Sequence, residues 1–76
     1  MTPKLPVLSG RELIRALERL GFQQVRHRGS HVFMRKEASD GMRETVVPLH
    51  STVAKGTLSA ILRQSGVDRD ALMEAL

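Results

Sequence analysis

The chain has 76 residues, a formal net charge of +4, no cysteine and two aromatic residues, Phe22 and Phe33. That length gives one domain, 1–76, with a core of Leu, Ile, Val and Met that buries roughly 60% of the surface of the unfolded chain. Disulfides and thiolate zinc sites are excluded, no apolar run approaches membrane length, and the eight residues to Leu8, broken by Pro3 and Pro6, are too short for a signal peptide.

Residues 1–8 should be an extended lead-in, because their prolines resist helix. Ser9 reads as an N-cap and Glu12 completes a capping box. Leu8 and Leu13 stand at the positions of a hydrophobic staple. Leu13, Ile14, Leu17 and Leu20 then form one apolar stripe that Gly21 ends. The outer face of this helix carries Arg11, Arg15 and Arg19, offset by Glu12 and Glu18, and reads as a solvated face. Phe22 to Arg28 is expected as a first strand and His31 to Lys36 as a second, joined by the two-residue turn Gly29-Ser30. In such a turn glycine supplies the positive φ that a type II′ hairpin needs at its first position. Within the second strand His31, Phe33 and Arg35 share one face, and Val32 and Met34 the other. If helices cover Val32 and Met34, the first three stand together on the open side.

Glu37 to Met42 is expected as a loop around the turn signal Asp40-Gly41. Thr45 to Val47 makes a short third strand ended by Pro48, and 49–56 is a connection. A second helix begins between Val53 and Thr57, buries Leu58, Ile61 and Leu62, and ends at Gly66. Asp68 caps a last short helix with Leu72, Met73 and Leu76. The expected fold is therefore α+β: an α-β-β-β-α order with a short extra C-terminal helix, and helices packed on one face of a three-stranded antiparallel sheet. That order is found in double-stranded-RNA-binding domains.

Charge and chemistry concentrate at Arg26-His27-Arg28-Gly29-Ser30-His31. Between Glu18 and Glu37 there is no acid, yet Arg19, Arg26, Arg28, Arg35 and Lys36 fall in that window. An acid-free basic window around two histidines suits a polyanion, and RNA is preferred because its 2′-hydroxyl is a built-in nucleophile. Histidine exchanges protons near neutral pH, so His31 is the candidate base, with Arg28, Arg35 or Lys36 stabilising charge. His50, His27 or water would supply the second acid–base role. His27, His31 and His50 are a weak zinc signal, and a metal-free, cofactor-free site is expected. A helix-turn-helix across 58–76 is disfavoured because its second helix carries Asp68, Asp70 and Glu74. A non-catalytic RNA-binding module is the alternative to an enzyme.

Several blocks in order resemble HicA-type (YcfA-like) toxins. These are Gly21-Phe22, Arg28-Gly29-Ser30-His31, Val47-Pro48-Leu49-His50, Lys55-Gly56-Thr57-Leu58 and Ile61 to Val67. The resemblance runs from about Arg11 to Val67. It implies a double-stranded-RNA-binding-like fold and an endoribonuclease that cleaves mRNA and halts translation; the metal-free site expected above makes that activity metal-independent, and the lack of cysteine suits the cytoplasm. It also implies a HicB-type antitoxin partner, the toxin being a monomer alone or part of a small hetero-oligomer. The family's catalytic histidine falls on His31, Gly29 and Ser30 match its motif turn, and Pro48 and His50 match its second block. Together with Gly29 and Ser30, the cations Arg26, Arg28, Arg35 and Lys36 of the basic window are the RNA-binding candidates. Many members carry a second histidine where this chain has Val32.

Overall fold

The structure is a computed structural model that describes residues 5–76. Its order is α1 (Gly10–Arg19), β1 (Gln23–Arg28), β2 (His31–Ala38), β3 (Gly41–Pro48), α2 (Lys55–Ser65) and α3 (Arg69–Ala75). The expected lead-in lies partly outside the described residues; its last residue, Leu8, is buried against the core.

α1 starts as its sequence demands. The Ser9 hydroxyl accepts from the Glu12 amide at 3.1 Å, and the Glu12 carboxylate accepts from the Ser9 amide at 3.0 Å, so two orphan donors are satisfied reciprocally. The Ser9 amide, then its hydroxyl and the charge of Arg15, hold the Glu12 carboxyl below its ordinary value of 4.5. A depressed folded-state pKa makes this contribution fully present above the unfolded value and lost as pH falls through the folded one. Glu12→Gln is therefore expected to lower stability modestly at pH 7 and to converge with the wild type as pH falls below 4.5, so that the acid limb read from urea midpoints at stepped pH is flatter.

The helix ends in a Schellman motif. Gly21 takes a φ of 98°, its amide donates to Glu18 O at 3.0 Å, and the Phe22 amide donates to Leu17 O at 2.9 Å. That turn drops the Phe22 ring into the core, where it is 3% exposed. Two cations also cap helix C-termini, that of α1 and that of α3. Lys36 Nζ donates to Leu20 O at 2.7 Å and Arg19 Nη1 to Ala75 O at 2.7 Å, each placing positive charge where carbonyls are unsatisfied.

The sheet order is β1-β2-β3, antiparallel throughout. Val32, Met34, Thr45 and Val47 face α1 and α2 and are buried with Leu13, Leu17, Leu58, Ile61 and Leu72. Thr45 is the polar member of that face, and its hydroxyl is satisfied by Gln64 Oε1 at 2.8 Å. α2 packs over β3 and α3 against α1. α2 ends at Gly66 in the left-handed region, φ 71°, and Asp68 caps α3 by accepting from the Ala71 amide.

The third strand is longer than expected. Glu37 to Met42 is not a loop: Ala38 pairs with Gly41, and the ladder runs unbroken from there to His31 opposite Pro48. Gly41, at φ 131°, lets the chain reverse over Ser39-Asp40 alone. Gly41 and Glu44 are poor strand formers, so pairing with β2 rather than local preference makes this strand.

Candidate active site

Directly opposed residues of an antiparallel ladder share a face. The open face therefore carries Arg28, His31 and Pro48 in one row, and Arg26, Phe33 and Val46 in the next. Arg35 and Glu44 follow in a third.

This grouping depends on a bulge. The β1–β2 register slips between Gln24, which opposes Met34, and Arg26, which opposes Phe33. Val25 is the extra residue. Strict alternation from the buried Phe22 would have turned Arg26 and Arg28 toward the helices and His27 outward. The bulge reverses that parity. Arg26 and Arg28 join His31 on the open face, while His27 opposes the buried Val32 and borders a groove with Arg11 and Arg15 of α1.

The Gly29-Ser30 turn is the expected two-residue connection, closed by the Arg28–His31 pair. Gly29 has a φ of 55°, and no non-glycine residue described has a positive φ, which is the type II′ pattern. The turn is tied down from the far strand: Ser30 O accepts from the Leu49 amide at 2.6 Å, and His50 O accepts from the Gly10 amide at 2.9 Å. His31 and His50, both exposed, thus sit at the same end of the sheet, held through backbone rather than through their rings. No described residue hydrogen-bonds the His31 imidazole.

The five cations of the acid-free window have separate fates. Arg19 and Lys36 are the helix-end donors described above. Lys36 lies on the helix side, with its ammonium 5.8 Å from the Phe22 ring centroid. Arg35 is bound to Glu44 at 2.9 and 3.1 Å. Arg26 and Arg28 remain without a carboxylate partner among the described residues, and both flank His31. The Arg26 guanidinium lies 6.0 Å from the Phe33 ring centroid. Sequence reasoning missed the Glu44 pairing because Glu44 was placed ahead of the third strand rather than in it.

The arrangement puts an exposed imidazole and two uncommitted guanidiniums on a pinned hairpin corner. Among the described residues no group of three or more His, Cys, Asp or Glu is placed to hold a metal, and no helix is long and apolar enough to cross a membrane.

No curated protein matches the chain. A family model described as the HicA toxin of bacterial toxin–antitoxin matches residues 10–67. That span opens with α1, takes in the whole sheet and closes just past the Gly66 turn that ends α2. The chain therefore belongs to the HicA toxin family, whose members act within toxin–antitoxin systems and have an antitoxin as partner.

Proposed function

We propose that this chain is the ribonuclease of its toxin–antitoxin pair, cleaving mRNA in the cytoplasm, arresting translation, and neutralised by a HicB-type antitoxin. One observation supports this above the rest: an exposed His31 ring shares an open sheet face with two unpaired guanidiniums, Arg26 and Arg28. In this reading His31 takes the proton of an RNA 2′-hydroxyl and the 2′-oxygen attacks the adjacent phosphorus. The P–O5′ bond breaks, leaving a 2′,3′-cyclic phosphate and a 5′-oxygen that receives a proton. Arg26 and Arg28 steady the charge that builds on the phosphorane. Arg35 joins them only by leaving Glu44, and Lys36 only by leaving Leu20 O. Gly29 and Ser30 bring the hairpin corner close to the RNA backbone. For the acid, the shared sheet end favours His50 over His27, which lies on the other face; water is the remaining source. No step needs a metal.

An RNA carrying one 2′-deoxynucleotide at the cleaved position tests this, with EDTA present throughout. The all-ribose RNA is expected to be cut in the chelator, and the substituted one to resist at that bond by at least 10³-fold, because its nucleophile is gone. Cleavage of the deoxy-substituted bond, or loss of cleavage in EDTA, would contradict the mechanism. Salt-sensitive binding without any cleavage would identify a non-catalytic RNA-binding module.

A further inference from the structure

We propose that the groove across Phe33 seats one unpaired nucleobase, so that this site takes single-stranded rather than duplex RNA. The proposal rests on the ribonuclease reading only for placing the cleaved bond next to that base.

Phe33 is set apart from the other hydrophobic residues of its strand. Val32 and Met34 are buried beneath the helices, and the second aromatic, Phe22, is deep in the core. Phe33 instead lies half-buried in the middle of the open face, opposite Val46 on one side and Arg26 on the other. The groove there has a volume of about 460 Å³; Val25, Val46 and the Phe33 ring form its apolar part, with Arg26 and the Arg35–Glu44 pair at its edges. An aromatic ring edged by a guanidinium offers a flat apolar surface with a cation beside it, which is what a base and its phosphate require. The volume is in the range of sites for small ligands.

Charge fixes the direction of approach. Arg35 is neutralised by Glu44, and Glu37 lies one row further from the turn, so the uncommitted cations are Arg26 and Arg28 at the His31 end. A backbone drawn to those arginines passes His31 with its base turned toward Val46.

Stacking disfavours a duplex. His31 and Phe33 are two residues apart on one strand and therefore about 7 Å apart along it, so a phosphate at His31 can have its adjoining base on the Phe33 ring only if that face of the base is free. In a duplex the faces of the bases are covered by one another.

Fluorescence anisotropy tests this with His31→Ala protein, which leaves the RNA intact during the measurement. The probes are a labelled single-stranded RNA octamer, a ribose-phosphate octamer of the same length without bases, and a duplex of the octamer sequence. The base-bearing single strand is expected to bind ten-fold or more tighter than either of the others. Adding Phe33→Leu should cut its advantage over the abasic chain below three-fold, and Phe33→Tyr should preserve it.

Equal binding of base-bearing and abasic chains overturns the base seat, as does tighter binding of the duplex. A preference that survives Phe33→Leu in a folded protein also overturns it. Where Phe33→Leu fails to fold, the base-bearing against abasic comparison on the intact ring decides. These results leave the ribonuclease reading to its own cleavage assay, which the wild-type protein can pass without any base preference. Base-dependent binding by a protein that cuts nothing would support the seat and reject the nuclease. Failure to bind any of the three RNAs overturns the base seat, and the cleavage assay still decides the ribonuclease reading.

Discussion

Gly10→Ala is expected to destabilise the protein by about 2–4 kcal/mol, through overlap and the strained or broken backbone hydrogen bond that follows. Helix propensity alone predicts the opposite sign, since alanine is favoured over glycine in helices by up to about 1 kcal/mol. The reversal has a local cause. Gly10 is buried as the first residue of α1, and its amide donates to His50 O at 2.9 Å. A Cβ at this position would collide with the Pro48 carbonyl oxygen and stand 3.0 Å from Leu49 Cα. Both obstacles are backbone, and neither can rotate away. The helix start must then withdraw from the end of β3, loosening the segment that also bonds Ser30 O in the Gly29-Ser30 turn. Urea denaturation measures the loss directly, and an unchanged or raised midpoint would show that this approach is looser than described.

The same residue marks a limit of reading the chain by pattern. Ser9, Glu12, Leu13 and Leu17 announce α1 because a helix start is chemically local, with its donors and acceptors three residues apart. Gly29-Ser30 is legible for the same reason. The close approach at Gly10 is not, because its partners are nearly forty residues away and nothing nearby in sequence requires a glycine. The bulge at Val25 is a similar case. Gln23 to Arg28 has no clean alternation, so the parity that sends Arg26 and Arg28 outward and His27 toward α1 is imposed by pairing with β2. The cations show a third kind of limit. A run of basic residues reads as one patch, yet helix ends claim Arg19 and Lys36 and a carboxylate claims Arg35. Only contacts across the fold sort the free charges from those in use. The face of β2 was legible, since Val32 and Met34 alternate against His31, Phe33 and Arg35 and only one set can be buried.

His31→Ala carries the largest expected effect on function. His31 is exposed at the strand end and no described side chain depends on its ring for a hydrogen bond, so truncation should leave the melting temperature within a degree or two. The turn beneath it is held by Gly29, the Arg28–His31 backbone pair and the Leu49 amide on Ser30 O, none of which needs the imidazole. A positioned base contributes about 10²–10⁴-fold to proton transfer. Cleavage should fall by that factor while RNA binding, which the proposed function assigns to Arg26 and Arg28, stays within a few-fold. Growth arrest on expression should be lost with it. Arg28→Ala should behave differently, weakening binding and reducing its salt dependence.

In the proposed function one solvent-facing imidazole on the hairpin corner does the chemistry. The cleavage rates of purified wild-type and His31→Ala proteins on the same single-stranded RNA, with folding checked by thermal melting, decide it. A drop of at least a hundred-fold at equal melting temperature is the result predicted. A folded His31→Ala protein that cuts at the wild-type rate would contradict it.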